Sequence, residues 1–126
     1  MKTWLLVFIG GGIGSLLRYL VSKWVNGSII SAFPYGTFIV NVTGCFLIGF
    51  FLFYFSETRF GEVSLPWRVF LITGICGGYT TFSSFSSENI LLLTNHQIAT
   101  FLAYTFGSLA LGFLATYSGI LLAKAI

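Results

Sequence analysis

Four apolar segments fill most of this chain, and each is long enough to cross a lipid bilayer as a helix. They cover about residues 4–25, 34–55, 67–93 and 97–123. A helix needs roughly 20 predominantly apolar residues to span the hydrocarbon core. Only 7% of the 126 residues are charged, whereas about a quarter are charged in soluble domains. The sequence therefore predicts an all-α membrane protein with one four-helix transmembrane domain over residues 1–126.

The basic residues give only a weak signal for the orientation of the helices. Four basic residues lie on the side of the membrane that holds both termini: Lys2, Arg59, Arg68 and Lys124. Two lie toward the other side: Arg18 and Lys23. Because cytoplasmic loops carry an excess of Lys and Arg, this imbalance weakly favours cytoplasmic termini and permits insertion in both orientations. The net charge of +3 is modest and its bases are scattered, so no nucleic-acid partner is indicated.

The third segment contains a polar stretch that an ordinary lipid-facing helix does not need. Residues 74–88 combine three glycines, two threonines, four serines, two phenylalanines and a glutamate. The Gly77-Gly78 pair weakens a helix, and non-helical backbone at membrane depth is tolerated only where protein or a water-filled cavity receives its polar groups. We therefore expect the third helix to be broken near Gly77 to Thr80. Broken membrane helices commonly form ion or substrate sites, so this stretch predicts a transport site.

The first two segments carry small residues and two polar side chains with open roles. Gly10 and Gly14 lie four residues apart, a spacing that lets helix backbones approach closely. Arg18 either snorkels to the membrane interface or makes buried hydrogen bonds. Asn41 shares a helix face with Thr37. Its amide either holds two helices together or donates to an ion in a pore.

The fourth segment repeats a small or hydroxyl-bearing residue every four positions. These residues are Tyr104, Ser108, Gly112 and Thr116. Such a stripe is typical of close helix packing and is also compatible with a conduction track. Cys45 and Cys76 lie in the middle of their segments and are expected to be small packing residues.

Two phenylalanines in the polar stretch indicate which solute the site would suit. Phe82 and Phe85 are spaced i and i+3, so their rings lie on one side of a helix. An aromatic ring is positive at its edge, and ring edges together with amide and hydroxyl donors can receive a small anion without a formal charge. The spanning segments have no ring of Lys or Arg, which argues against a wide anion pore.

Three runs of sequence together carry a resemblance to a known family. They are residues 10–19, 36–44 and 74–86, which read GGGIGSLLRY, GTFIVNVTG and GICGGYTTFSSFS. In these runs the chain resembles the Fluc (also called CrcB) fluoride channel family, and the match follows the same order through all four segments. The resemblance implies passive fluoride export by an antiparallel, dual-topology homodimer with two pores, placed in the bacterial plasma (inner) membrane.

The resemblance also implies roles for individual residues. Asn41 would hydrogen-bond fluoride, and Phe82 and Phe85 would form aromatic boxes along each pore. The remaining fluoride-pathway positions are Ser83, Glu88, Tyr104, Ser108 and Thr116. Gly77 and Thr80 would give backbone carbonyls, from both subunits, to a central structural Na⁺. Gly112 departs from the pattern, because a hydroxyl there would extend the stripe on the fourth helix.

Three other classes of protein were weighed against the channel. A small dual-topology proton-coupled multidrug antiporter would need a titratable carboxylate in the membrane, for which Glu88 is the one candidate. A membrane assembly subunit would use the glycines for packing alone, and would leave Asn41 and the paired phenylalanines unexplained. An enzyme is not expected, because the single histidine, His96, has no neighbouring carboxylate or thiol in the sequence.

Overall fold

The computed structural model describes residues 2–126, and these residues form helices joined by short turns, with no strand among them. Three helices are long and apolar enough to cross a membrane: α1 (Thr3–Ser28), α2 (Tyr35–Tyr54) and α7 (Ile98–Ala125). They match the first, second and fourth predicted segments to within a few residues. The all-α membrane class predicted from the sequence is therefore confirmed.

The third apolar segment is divided among shorter elements. After α3 (Glu57–Phe60) and a 3₁₀ turn (Gly61–Val63) come α4 (Ser64–Arg68), a π-helical stretch (Val69–Cys76), α5 (Gly77–Tyr79) and α6 (Phe82–Thr94). Thr80 (φ −80°, ψ 157°) and Thr81 (φ −150°, ψ 115°) have extended backbones between α5 and α6. Gly77 and Gly78 remain helical, so the departure from helical geometry lies at the two threonines.

The first helix packs closely against the π-helical stretch through glycines. A Cβ atom added to Gly10 would lie 2.7 Å from the carbonyl oxygen of Phe70 and 2.9 Å from Cα of Gly74, and one added to Gly14 would overlap the carbonyl oxygen of Ile75. Real Cβ atoms do not approach other atoms so closely. The Gly10 and Gly14 pair therefore permits the backbone contact that its spacing predicts.

The second and seventh helices make the most extensive helix pair in the molecule. A Cβ atom on Gly49 would overlap the Thr116 carbonyl oxygen, and one on Gly119 would overlap the Phe46 carbonyl oxygen. At Gly112 the nearest atom is Sγ of Cys45, at an ordinary 3.6 Å. Gly112 thus lies in the packed interface between α2 and α7, but a small side chain would fit there.

The turn between α6 and α7 holds a histidine where a glycine usually occurs. The amide of His96 donates to the Leu93 carbonyl (3.1 Å) and the amide of Gln97 to the Leu92 carbonyl (2.8 Å), and His96 has φ 58°. These two bonds define a Schellman motif, whose left-handed position favours glycine. The short turn places the start of α7 beside the end of α6.

Replacing His96 with Gly is expected to stabilise the protein by about 1 kcal/mol, because a side chain in the left-handed region costs about 1–2 kcal/mol and the added flexibility of glycine offsets part of that gain. The measurement is the thermal midpoint in detergent. Asn95→Gly, at a position with negative φ, is the matched control and should destabilise. An unchanged or lower midpoint for His96→Gly would contradict the strain at this position.

Candidate functional site

Asn41 on α2 forms a pair of hydrogen bonds with the backbone of Thr81. Its Nδ2 donates to the Thr81 carbonyl (3.0 Å), and its Oδ1 accepts from the Thr81 amide (2.8 Å). The side chain therefore replaces the helical partners that Thr81 loses when the helix is interrupted. The hydrogen bonds between helices that were one of the two possible roles of Asn41 are therefore present. An amide nitrogen carries two N–H groups, so a second donor remains for another acceptor.

Thr81 begins α6 as its N-cap. Its Oγ1 accepts a hydrogen bond from the Ser84 amide (3.1 Å) and lies 3.2 Å from the hydroxyl oxygen of Ser83. Threonine is a good N-cap because its oxygen satisfies an amide that the helix leaves without a partner. Thr81 is buried, whereas Ser83 is exposed on the surface of the single chain. The cap and the Asn41 pair together fix the direction in which α6 leaves the interruption.

The carbonyl groups of Gly77 and Thr80 also lie at the interruption. In a continuous α-helix the Thr81 amide would donate to Gly77, but here it donates to Asn41. The Thr80 carbonyl accepts a hydrogen bond from Arg18 on α1 (3.4 Å). Arg18 therefore makes a hydrogen bond inside the protein, which is one of the two roles left open for it. These two carbonyls are the oxygens that a cation could use.

Three aromatic rings form a short row along α6 and α7. The ring centroids of Phe82 and Phe85 are 5.9 Å apart, and those of Phe85 and Tyr104 are 5.1 Å apart. Tyr104 is fully buried, Phe85 is half-buried, and Phe82 is 79% exposed at the surface of the single chain. The two phenylalanines predicted as a pair are thus neighbours, and Tyr104 from the predicted stripe joins them.

The carboxylate of Glu88 lies where α2, α6 and α7 meet. One oxygen accepts from the Thr37 hydroxyl and the other from the Tyr104 hydroxyl, each at 2.6 Å. Such short distances are typical of hydrogen bonds to a carboxylate. The sequence places Thr37 on the same helix face as Asn41 but predicts no role for it. Its spacing of four residues from Asn41 was the signal available in the sequence.

Tyr104→Phe is expected to destabilise the protein by about 1.5–3 kcal/mol, the range for a hydrogen bond to a charged group, because it leaves one Glu88 oxygen without its donor. The thermal midpoint in detergent measures the effect. Tyr117→Phe is the matched control, since Tyr117 lies on the same helix and is 60% exposed. Equal midpoints for the two variants would contradict the importance of the bond.

The polar residues of the stripe on α7 lie in different surroundings. Among residues 2–126, Oγ of Ser108 is the buried side-chain polar atom that has no hydrogen-bond partner. The Thr116 hydroxyl donates to the Gly112 carbonyl of its own helix (3.0 Å). Tyr104 therefore joins Glu88 and Phe85, Ser108 has a free hydroxyl one turn further on, and Thr116 lies beyond both in the interface with α2.

Comparisons with known proteins match nearly the whole chain. Residues 5–120 match the profile of the family described as CrcB-like protein, Camphor Resistance (CrcB). A protein of Flavobacterium psychrophilum named fluoride-specific ion channel FluC is 48% identical and aligns over 98% of each chain. Proteins with the same name from Rhizobium meliloti (51% identical, 97% of this chain and 96% of that protein) and Thermus thermophilus (44%, 100% and 97%) are also similar.

The family match covers nearly the whole chain, including the glycines of α1, Asn41, and the interruption with its two phenylalanines. The relatives align over nearly their full lengths as well. The protein therefore belongs to the CrcB-like family of membrane proteins.

Proposed function

We propose that this protein is a passive, fluoride-selective ion channel that exports fluoride from the cytoplasm. The observation that carries the proposal is the near-full-length similarity to relatives named fluoride-specific ion channels. Passive conduction needs no reactive group, and the protein is accordingly not an enzyme. The antiporter using Glu88 has no support among these relatives.

Neutral donors on α2 and α7 suit fluoride because each water that the small anion loses must be replaced by a donor at close range. The second N–H group of Asn41 and the partnerless hydroxyl of Ser108 are available as such donors. The positive edges of Phe82 and Phe85 can also face an anion. Fluoride would thus move along neutral donors, which bind it strongly enough to enter and weakly enough to leave.

Other polar residues extend this path in the proposal. Ser83 adds an exposed hydroxyl at the start of α6. The Tyr104 hydroxyl now donates a hydrogen bond to Glu88, and it could donate to an arriving anion instead. Thr116 gives its hydroxyl to its own helix, so it would have to rotate about χ1 to contribute.

The complete channel in this proposal is an antiparallel homodimer with two pores. The weak bias in basic residues supports insertion in both orientations. In a single chain, Phe82 and the polar face around Ser15, Gly77 and Ser83 are exposed, and a second copy would cover them. The third segment would cross the membrane as an interrupted helix, with the interruption held inside protein. The expected location is the bacterial inner membrane.

A structural Na⁺ belongs to the same proposal. The Gly77 carbonyl does not accept from the Thr81 amide, because that amide donates to Asn41 instead. The Thr80 carbonyl accepts a hydrogen bond from Arg18. Neutral carbonyls freed by an unwound membrane helix suit Na⁺, so the Gly77 carbonyl fits the ion, whereas the Thr80 carbonyl would bind it in competition with Arg18. A second subunit would double the set. When bound, Na⁺ would neutralise the carbonyl dipoles at the interruption.

Growth of a bacterial strain that lacks its own fluoride exporters tests the function in cells. Expression of this protein should restore growth in fluoride, whereas Phe85→Ala should not. Ser118→Ala is the control, because the Ser118 hydroxyl is exposed and donates only to its own helix. Equal fluoride sensitivity with and without the protein, at matched membrane levels, would contradict the proposal.

A further inference from the structure

The helix that carries the two phenylalanines is held to α7 by few polar contacts. α7 packs mainly against α2, and within residues 2–126 two side-chain hydrogen bonds join α6 to α7. One is the bond from Tyr104 to Glu88, and the other is donated by the Thr105 hydroxyl to Oδ1 of Asn89 (3.0 Å). The first belongs to the proposed pathway. The second involves residues with no role in it so far.

Asn89 is a buried amide whose two ends are both engaged. Asn89 is only 7% exposed. Its Oδ1 accepts a hydrogen bond from the Thr105 hydroxyl, and its Nδ2 donates one to the Phe85 carbonyl (3.0 Å). Burying an amide without partners is costly. The orientation of Asn89 is therefore set by a carbonyl on its own helix and by a hydroxyl on α7.

The two bonds between α6 and α7 lie at consecutive positions on both helices. Glu88 bonds to Tyr104, and Asn89 bonds to Thr105. The bonds of Glu88 to Thr37 and Tyr104 hold α6 at one position. The Asn89 bond adds a contact that points about 100° away around the helix, and it thereby restricts the rotation of α6 further. Phe85 lies one turn before Asn89, and its ring contacts Tyr104 at 5.1 Å.

We propose that Asn89 is a positioning residue for the ion pathway. Through its bond to Thr105 it restricts the rotation of α6 further, and it thereby holds the Phe85 ring edge toward the place where the anion passes. The proposal rests on the function proposed above. In Asn89→Leu, the leucine could fill the space of the asparagine side chain. The Thr105 hydroxyl could then donate to the Phe101 carbonyl four residues earlier on α7. The fold would then remain while the ring angle varied.

Two substitutions at Thr105 test the bond while changing little volume. Thr105→Val removes the hydroxyl, and Thr105→Ser keeps it. In liposomes, we expect Thr105→Val to slow fluoride efflux about two- to tenfold, the factor that one net hydrogen bond represents, and to lower the ratio of fluoride to chloride efflux. Thr105→Ser should restore both. Thr94→Val is the matched control, because the Thr94 hydroxyl donates only to Ile90 of its own helix.

A double-variant cycle separates positioning from general packing. Because both residues act through one bond, Asn89→Leu combined with Thr105→Val should be no slower than the slower single variant. Multiplied effects, or wild-type efflux and selectivity in Thr105→Val, would overturn the proposal. Should Thr105→Val aggregate on size-exclusion chromatography, the comparison of Thr105→Ser with Thr105→Ala replaces it. Failure of the wild-type protein to conduct fluoride would instead contradict the function itself.

Discussion

Replacing Asn41 with Leu should slow fluoride efflux by about tenfold or more and lower the free energy of unfolding by about 2–6 kcal/mol. The reason is that one amide side chain satisfies both the N–H and the C=O of Thr81 (2.8 and 3.0 Å). Leucine fills a similar volume but leaves both backbone groups without partners in an apolar region, at about 1–3 kcal/mol for each.

The control for Asn41→Leu is Thr43→Val, two residues along the same helix. The Thr43 hydroxyl is exposed, donates to Ile39 within α2 and lies 3.0 Å from the hydroxyl oxygen of Tyr79 on α5, so its loss should cost less than the loss of the two bonds to the Thr81 backbone. Efflux is measured from liposomes, and the thermal midpoint is measured in detergent. A variant at Asn41 that is as stable and as fast as Thr43→Val would show that the paired hydrogen bonds do not hold the site.

Replacing Gly14 with Leu should prevent stable folding, with a loss of about 3 kcal/mol or more, the upper end of what overpacking costs. A Cβ atom at this position would overlap the Ile75 carbonyl oxygen and lie 2.8 Å from the Tyr79 amide nitrogen. Both neighbours are backbone atoms, so neither can move aside by changing a rotamer. α1 would have to separate from the π-helical stretch and from α5, which leads directly to the interruption.

Gly12→Leu is the matched control, since no atom lies within 4 Å of a Cβ atom at Gly12. Leucine favours helices in both places, so the comparison isolates the packing effect. The readout is the fraction of protein that elutes as a single species in detergent after heating. If both variants retain that species to the same temperature, α1 does not pack as described.

The helices were predictable from the sequence because membrane spans depend on length and hydropathy, which are local properties. Residues 4–25, 34–55 and 97–123 correspond to α1, α2 and α7 within a few residues. The close contacts of Gly10 and Gly14 also followed from their spacing. The sequence predicts a break near Gly77 to Thr80, and the extended residues are Thr80 and Thr81. The two glycines only weaken a helix on average, whereas the Asn41 side chain on another helix supplies the partner of the Thr81 amide.

The proximity of Phe82 and Phe85 was predictable from their spacing, but the hydrogen bonds around them were not. Phe82, Phe85 and Tyr104 do form a row. No pattern in the sequence pairs Thr37 with Glu88 or Thr105 with Asn89, because residues far apart in the chain meet only through tertiary packing. Hydroxyls in membrane helices have a local alternative, the carbonyl four residues earlier, and Thr116 uses it.

The measurement that tests the central claim most directly is ion efflux from liposomes that contain the purified protein. The liposomes are loaded with fluoride or chloride, and loss is followed with ion-selective electrodes under a K⁺ gradient with valinomycin. Rapid fluoride loss that requires valinomycin, with no chloride loss above that of protein-free liposomes, is the predicted result. No fluoride loss from correctly folded protein, or equal loss of both anions, would contradict a fluoride-selective channel.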